Sequence, residues 1–320
     1  MSKKYVLAGD VGGTNLRIAV VDSEGAMVHE ESVLTPQTRV ASDVVTAISL
    51  VALSCVANSG ISGRPLAFGL AMATLVNSRE GKSLSSPNLP ELNGLSVADA
   101  ISEQLGLKVL LENDATAAAI GEYWLGSSRD VNNSVFVTLG TGVGGGLILD
   151  GRVYRGTDGT AGEIGHINVE REGHLCGCGS RGCVEQYASA TAISRIAQEL
   201  ALQDTTSSLA GKRNASSKEV YDAAKAGDPV GLETFRIMGM YLGIALAGLV
   251  DVLNPELIVI GGGAAGAWDL FIDSVQDEIA SRAFGPPAKT ARLVRASLGN
   301  SAGILGAARV ALDAEIAHIA

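Results

Sequence analysis

Short apolar runs on either side of a glycine-rich turn begin each half of the chain. Residues 5–8 are apolar, residues 9–14 contain three glycines, and residues 16–21 are mainly apolar again. Two strand-forming runs joined directly by a turn predict a β-hairpin rather than the strand–helix unit of a dinucleotide-binding fold. The same order of strand, glycine turn and strand returns at residues 134–139, 140–146 and 147–149. The pattern therefore indicates one architecture that is used twice.

The remaining pattern predicts an α/β protein. We expect helices at residues 42–59, 97–105, 115–125 and 302–317, strands at 66–72, 109–111 and 257–260, and polar loops at 77–94 and 204–218. The uncharged apolar run at residues 237–250 ends at Asp251, and its length predicts a buried helix rather than a membrane span.

The repeat also predicts how the chain divides. We expect a small lobe at residues 1–120 and a large lobe at residues 121–299 that contains the segment 166–183. We expect the helix at residues 300–320 to pack back on the small lobe.

Composition and charge restrict the class of protein. With 320 residues, 47% of them hydrophobic and 18% charged, the chain is long enough for two cores and too apolar to be disordered. Its net charge of −10 argues against non-specific nucleic-acid binding, which needs a basic surface. Only a short apolar stretch separates Lys3 and Lys4 from Asp10, which is too little for a signal-peptide core. We expect a cytoplasmic protein with no nucleic-acid or membrane partner.

One histidine and three cysteines are clustered within a short segment. His166, Cys176, Cys178 and Cys183 are the ligand types of a closed tetrahedral zinc site. Glycines at positions 177, 179 and 182 would let the backbone wrap one ion. A disulfide to Cys183 is the alternative, but it would leave one of the three cysteines unpaired, and nothing in the sequence indicates an oxidising compartment. Because protein fills all four positions, such a zinc ion would be structural.

Three glycine-rich turns are candidates for binding phosphate. Asp10 precedes the turn at 12–15, a second turn contains residues 140–142, and Gly261–Gly263 end a predicted strand. Exposed N–H groups in such turns can form an anion-binding nest, whereas a tight hairpin is the simpler explanation for any one of them. No Gly-Lys-Ser/Thr follows, so neither hairpin turn is a Walker loop. The repetition of the turn favours a nucleotide bound in a cleft between the two lobes.

A carboxylate also lies at the end of a predicted strand. Glu112-Asn113-Asp114 immediately precedes a predicted helix. Either Asn113 or Asp114 is a suitable cap for that helix, and ligands also gather at the carboxyl ends of strands in open α/β sheets. Taken alone, the residues leave capping and catalysis equally open.

Six motifs follow one another along the chain: the first turn, Glu-Asn-Asp-Ala, the second turn, Gly-Glu-Ile-Gly-His, the Cys-x-Cys segment and Asn-Pro-Glu…Gly-Gly-Gly. In their residues and their order they resemble the ROK family. That family contains bacterial sugar kinases and sugar-responsive repressors and has the actin/hexokinase/heat-shock ATPase fold. The resemblance covers essentially the whole chain and is strongest to the family's glucokinases. It implies an ATP-dependent phosphorylation of glucose at the 6-hydroxyl, an activity of glycolysis.

The resemblance also implies roles for individual residues. Asp114 would be the general base, Asn113 and Asp114 would bind the 4- and 6-hydroxyls, and Asn88 would lie near the sugar. The remaining hydroxyls would be bound by Glu163, Glu185 and the ring nitrogen of His166 that does not face zinc. Asp10 would hold Mg²⁺. The phosphates would be bound by Gly12, Gly13, Thr14, Asn15, Gly140, Thr141 and Gly142, and the adenosine by Gly261, Gly262 and Gly263. The family also implies a homo-oligomer, a dimer or a tetramer.

Three departures from the family's usual pattern keep alternatives open. Asn15 replaces a lysine that is common in the family, and Met72-Ala73-Thr74 replaces a usual Pro-Gly beside the sugar pocket. The first glycine turn begins at residue 9, so we expect no DNA-binding domain like that of the repressors. The alternatives are a kinase for N-acetylmannosamine, fructose or allose, and a non-catalytic sugar sensor.

Overall fold

The computed structural model describes residues 3–86 and 88–316 of the chain. The strands, in chain order, are β1 (Tyr5–Val11), β2 (Asn15–Asp22), β3 (Met27–Leu34), β4 (Phe68–Met72), β5 (Leu75–Asn77), β6 (Lys82–Ser85), β7 (Val109–Asn113), β8 (Ser134–Leu139), β9 (Val143–Leu149), β10 (Arg152–Val153), β11 (Leu257–Gly261) and β12 (Arg292–Arg295). The α-helices are α1 (Ala41–Asn58), α2 (Val97–Leu105), α3 (Asp114–Leu125), α4 (Glu185–Ala188), α5 (Ala190–Ala201), α6 (Ser217–Lys225), α7 (Pro229–Leu253), α8 (Trp268–Arg282), α9 (Pro287–Thr290) and α10 (Ala302–Ile316).

These elements form two compact units. The first contains Met1–Asp130, Gly146–Gly162 and Ser297–Ala320, and the second contains Val131–Gly145 and Glu163–Ala296. The lobes expected at residues 1–120 and 121–299 stay a prediction. Residues 317–320 of the expected terminal helix, and Pro87 beside the candidate sugar residue Asn88, lie outside the described residues.

The first unit is built on a mixed five-stranded sheet in the order β3-β2-β1-β4-β7. Side chains alternate along β1, as expected for a strand that is covered on both faces. Val6 and Ala8 join a core with Ile304 of α10, while Leu7 and Val11 join a core with α1 and α2. Helix α10 packs against α3 so closely that a Cβ on Gly306 would collide with the carbonyl of Ala117.

The second five-stranded sheet has the order β10-β9-β8-β11-β12. If the strands of each sheet are numbered from one along the chain, both sheets have the order 3-2-1-4-5. The predicted repetition of a strand–turn–strand unit is therefore present. In the second unit the long helix α7 packs against α8, α4, α5 and α6. It buries a stripe of side chains three or four residues apart, including Phe235, Met238, Leu242, Leu246 and Val250.

Several predicted boundaries differ from the observed ones. β1 continues to Val11, so Gly9 and Asp10 lie in the strand rather than in the turn. β9 begins at Val143, which shortens the second glycine turn to residues 140–142. The predicted loop at 77–94 contains β6 and a short 3₁₀ helix at Pro90–Leu92. These elements were not predicted because polar residues on their exposed side concealed the apolar pattern.

Within the part of the chain that the structure describes, two helices are apolar and long enough to cross a membrane by length and composition alone. They are Ala41–Asn58 and Pro229–Leu253. In the most apolar 18-residue stretch of each helix, 33% and 44% of the residues, respectively, are buried inside the molecule. The second contains the run at 237–250 that was predicted to be a buried helix. Buried helices of soluble proteins pass the same test, so the finding is weak evidence for a membrane.

Candidate functional site

The carboxyl edge of the first sheet presents two of the predicted acidic residues. In the parallel strands β1, β4 and β7, Asp10 is paired with Ala71 and Ala71 with Glu112. Two steps between strands of about 4.8 Å each separate Asp10 from the end of β7 by about 10 Å. Asp114 directly follows that end as the first residue of α3. The sheet register therefore brings Asp10 and Asp114 to the same edge.

Asp10 is a largely buried carboxylate with a distant counter-charge. Its Oδ2 lies 4.0 Å from Nη1 of Arg17, which also bonds the carbonyl of Asn300 and forms an ion pair with Glu30 at 2.9 Å. Burial raises the pKa of Asp10, although the positive charge of Arg17 opposes the rise. A carboxylate oxygen is a ligand type that Mg²⁺ prefers, so Asp10 fits the predicted role.

The first glycine turn is closed by its own backbone. The Gly12 N–H donates to the Asn15 carbonyl at 2.9 Å, so this N–H stabilises the turn rather than pointing at a ligand. The hydroxyl of Thr35 donates to the Gly12 carbonyl at 2.7 Å. Asn88 lies against the same turn, because a Cβ on Gly13 would be 3.1 Å from the Cβ of Asn88. The structure thus brings Asn88 to the first turn, while Thr14 and Asn15 are exposed.

The two residues at the start of α3 have different roles. Asn113 is the N-cap, and its Oδ1 accepts from the Thr116 N–H at 3.0 Å. Its Nδ2 donates to the Thr74 carbonyl and to Oδ1 of Asp114, both at 3.2 Å. Capping is therefore assigned to Asn113, and only its Oδ1 retains capacity to accept from a sugar hydroxyl.

Asp114 is oriented by its own helix. Its Oδ1 accepts from the Ala115 N–H at 2.9 Å in addition to the bond from Asn113. A carboxylate in the first turn of a helix is stabilised by the positive end of the helix dipole. Asp114 is partly exposed, so the carboxylate is both held in one orientation and accessible.

The predicted zinc ligands converge in the second unit. The ligand atoms of His166, Cys176, Cys178 and Cys183 all lie within 4.8 Å of one another. Sγ of Cys178 is 3.7 Å from Sγ of Cys183, and Sγ of Cys176 is 3.7 Å from Nδ1 of His166. Zinc–sulfur bonds of about 2.3 Å in a tetrahedron put two sulfurs about 3.8 Å apart, whereas a disulfide requires about 2.05 Å. The donor set and its spacing therefore fit zinc and not a disulfide.

Two glycines shape this segment. Gly179 and Gly182 have φ values of +91° and +69°, which only glycine adopts without strain. A Cβ on Gly182 would also collide with the carbonyl of Glu170. Gly177 has an ordinary φ and open space around it, so the predicted need for glycine holds at two of the three positions.

The ring of His166 connects the cluster to a carboxylate. Its Nδ1 faces Cys176, while its Nε2 lies 3.9 Å from Oε2 of Glu163. Partial burial raises the pKa of Glu163, and the neighbouring imidazole opposes the rise. The cluster therefore fixes which ring nitrogen is turned outward.

Glu185 connects the same cluster to the second glycine turn. Its Oε1 lies 3.8 Å from Sγ of Cys176, and its Oε2 accepts from the Val143 N–H at 3.1 Å. A Cβ on Gly142 would collide with this carboxylate. The Ala190 N–H adds a bond of 2.8 Å to the Gly140 carbonyl. The second glycine turn is thus held by Glu185 and Ala190, which follow the cysteine cluster along the chain.

A cavity of about 510 Å³ opens beside the second turn. Its walls are Gly140, Thr141, Ala190, Ile193, Ser217, Lys218, Tyr221, Phe235, Gly263, Ala264, Gly266 and Ala267. Of the three glycines predicted to bind adenosine, only Gly263 lines it. Gly262 instead has a φ of +84° and packs against Leu139, so its role is structural.

The walls from α6 and α7 have no distinctive signal in the sequence. Ser217, Lys218, Tyr221 and Phe235 carry no motif, and they precede Gly263 by many residues. The amphipathic pattern of α6 would have predicted a helix but not which cavity it lines.

Comparisons with known proteins add to this geometry. The model of the ROK family matches residues 6–314. The chain is 35% identical over 317 residues to the glucokinase of Streptomyces coelicolor, with 95% of this chain and 96% of that protein covered.

Solved structures give the same relationship. A ROK family glucokinase from Streptomyces griseus in complex with glucose and AMPPNP is 34% identical, with a TM-score of 0.81 over 97% of this chain and 99% of that chain. A ROK family transcriptional regulator, a homolog of the E. coli MLC protein, is 29% identical, with a TM-score of 0.88 over 96% of this chain and 78% of that chain.

Proposed function

The chain belongs to the ROK family, and on that premise we propose that it is an ATP-dependent glucokinase acting on the 6-hydroxyl of glucose. The family that the sequence predicted is confirmed, and so is its α/β, actin-like ATPase fold class. Similarity to glucokinases over nearly the whole chain supports a sugar kinase. The complex of a relative with glucose and AMPPNP supports glucose and ATP as the ligands.

The observation that carries the proposal is the orientation of Asp114. Donors from Ala115 and Asn113 both reach its Oδ1 and fix the plane of the carboxylate. In the proposed reaction the carboxylate takes the proton of the 6-hydroxyl as that oxygen attacks the γ-phosphorus of ATP, whose bond to the β,γ-bridging oxygen breaks to release ADP. A positioned base contributes about 10²–10⁴-fold to the rate of such a step.

The other side chains would bind and orient the two substrates. Glu163, His166 and Glu185 would bind sugar hydroxyls, and Asn113 would accept from one through Oδ1. The cavity beside Gly140 and Gly263 would take the adenosine, with Tyr221 and Phe235 as apolar walls. Asp10 would hold Mg²⁺, which neutralises phosphate charge when bound.

A structural zinc ion is part of the proposal. His166, Cys176, Cys178 and Cys183 would hold it, and it would keep the outward ring nitrogen of His166 and the carboxylate of Glu185 in place. The cytoplasmic location and the homo-oligomer stay predictions.

The test is Asp114→Asn, assayed by ADP release with glucose. The amide oxygen still accepts from the Ala115 N–H, so the start of α3 is preserved. We expect kcat to fall by about 10²–10⁴-fold with little change in stability. Asp99→Asn, which changes another first-turn aspartate on α2, is the matched control and should keep full activity. Unchanged turnover in Asp114→Asn would refute the proposed base.

The similarity to a transcriptional regulator supports a second candidate, a sugar sensor without catalysis. Calorimetry with glucose combined with the ADP assay separates the two. Glucose binding without ADP release from the unmodified protein would favour the sensor. Faster ADP release with N-acetylmannosamine, fructose or allose than with glucose would instead identify a different hexose kinase.

A further inference from the structure

The first unit contains a separate cavity of about 980 Å³, at the upper end of the size of small-molecule sites. It contains none of the residues predicted to bind sugar, nucleotide or metal. Its walls are Ser78, Arg79, Leu110, Leu111, Glu112, Ile120, Tyr123, Trp124, Arg129, Gly151, Arg152, Val153, Tyr154, Arg155, Gly156, Arg309, Val310, Asp313 and Ala314.

The charge of these walls is opposite to that of the chain. The lining residues contain five arginines but only two carboxylates, in a protein of net charge −10. Guanidinium groups bind phosphate oxygens through paired N–H donors, so a concentration of arginines around a cavity favours a phosphorylated ligand.

Both carboxylates are already neutralised by arginines of the same wall. Nε of Arg155 donates to Oε2 of Glu112 at 2.7 Å. Nη2 of Arg309 lies 2.7 Å from Oδ1 of Asp313, and its guanidinium covers the ring of Trp124 at 5.6 Å. Arg155 uses only Nε in this pair, and a guanidinium has further donors on its two terminal nitrogens.

The other three arginines supply charge that the cavity does not balance. Arg129 forms an exposed ion pair with Asp130 at 3.4 Å, which contributes little. Arg79 bonds the Gly156 carbonyl at 3.5 Å, and Arg152 has no ion pair within residues 3–86 and 88–316. Arg79 and Arg152 are exposed at the rim. Arg79 can turn to a ligand there by giving up one long bond to the Gly156 carbonyl.

We propose that this cavity is a second binding site, which takes a small organic phosphate. The phosphate would be bound by Arg79, Arg152 and the terminal nitrogens of Arg155. Most of the remaining wall is apolar or aromatic, with Tyr123 and Tyr154 among its residues, and fits a carbon-containing body rather than a bare inorganic anion.

The site is connected to the end of β7. Oε1 of Glu112 accepts from the Asn113 N–H at 3.1 Å, and Asn113 bonds Asp114. A ligand that holds Arg155 also holds Glu112, whose side chain is only 1% exposed. Because coupling between sites is reciprocal, glucose and the organic phosphate would change each other's affinity.

The test is calorimetric titration of the full chain at low salt with three probes. These are glucose 6-phosphate and AMP, which distinguish a sugar phosphate from a nucleotide, and inorganic tripolyphosphate. We expect one organic phosphate to bind more tightly than tripolyphosphate. Arg152→Glu should weaken that binding by about tenfold or more because it replaces an attractive charge by a repulsive one.

The control is Arg171→Glu, the same change at a side chain of the second unit that is 92% exposed. It should leave the affinity within about twofold.

Arg79→Gln is a second variant of the site in case Arg152→Glu does not fold, as judged by thermal unfolding. The proposal is overturned if neither organic phosphate binds with a Kd below about 5 mM, which is weaker than the millimolar end of the usual affinity range. It is equally overturned if the rim variants bind as well as the unmodified chain. Neither outcome depends on turnover, so the glucokinase proposal is tested separately.

Discussion

The two glycine turns follow the first strand of sheets that have the same strand order, yet their surroundings differ. The first turn follows the carboxylate of Asp10 and is fixed by the hydroxyl of Thr35. The second turn has no such acid in its strand, and it is held by Glu185 and Ala190 from a later segment. One turn thus accompanies a candidate cation ligand, and the other adjoins a cavity and a cysteine cluster.

The difference comes from what is inserted into the repeated unit. After the first sheet's β3 the chain reaches α1 through the short segment 35–40, whereas after the second sheet's β10 it reaches α4 through residues 154–184. The longer segment carries all four ligand atoms of the candidate zinc site. The repeat therefore provides two turns of similar geometry, and the residues outside it give each turn its chemistry.

Removing the metal is expected to have the largest effect, and only on the second unit. Chelation or Cys178→Ser should lower the free energy of unfolding of that unit by roughly 3 kcal/mol or more, because metal binding and folding are coupled. The chain has two tryptophans, Trp124 in the first unit and Trp268 in the second, so Trp124→Phe and Trp268→Phe give separate fluorescence signals. Urea unfolding should shift for the Trp268 signal and not for the Trp124 signal.

The matched control is Cys55→Ser, which makes the same change in the buried core of the first unit. It should act on the Trp124 signal and leave the zinc content unchanged. Elemental analysis should find about one zinc per chain in the unmodified protein, as expected for one four-ligand site. Equal shifts of both tryptophan signals on chelation would contradict the assignment of the metal to one unit.

The sequence could predict features whose determinants are close together along the chain. The four zinc ligands and the two hairpins are of this kind, since local spacing alone brings their residues together. β3 was not predicted because it is an edge strand with a mostly exposed surface, so no apolar alternation marks it.

Features that depend on tertiary contacts could not be read in this way. Whether Asn113 or Asp114 caps α3 depends on the backbone at the strand end, since both residue types cap helices. The cavity beside Gly263 draws its walls from α6 and α7, and the arginines of the other cavity come from four separate segments. No local pattern indicates that such residues meet.

Two alanine substitutions within the second turn should have different effects on the two substrates. In Gly142→Ala the new Cβ would displace Glu185, so we expect the KM for glucose to rise about tenfold, equivalent to about 1.4 kcal/mol. A Cβ on Gly140 meets no protein atom within 4 Å but faces the cavity, so Gly140→Ala should raise the KM for ATP and leave that for glucose within about twofold. Steady-state kinetics in both substrates measures this. If both variants changed the same KM, Glu185 would not be a sugar ligand held by this turn.

The smallest expected effect concerns two helix caps, of which the one at α3 is neutral and the one at α7 is charged. The cap of α3 is Asn113, whereas α7 begins after Asp228, which accepts from the Val230 and Gly231 N–H groups at 3.0 and 3.2 Å. Partial burial opposes ionisation of Asp228, but hydrogen bonds from Ser208 and its neighbours outweigh it and lower the pKa to about 2.

Because the pKa of Asp228 is lower in the folded chain than the usual 3.8, its charge stabilises the fold above about pH 4, and this contribution is lost as the pH falls toward 2. Asp228→Asn keeps an acceptor for the cap, so it should cost only about 1 kcal/mol near neutral pH, and this cost should shrink between pH 4 and pH 3. Ser189→Ala, which removes the neutral cap of α5, should instead cost about the same at every pH. Urea unfolding of the Trp268 signal at pH 6, 4 and 3 checks both variants. A cost of Asp228→Asn that did not change with pH would mean that Asp228 stabilises α7 through its hydrogen bonds alone, as Asn113 does at α3.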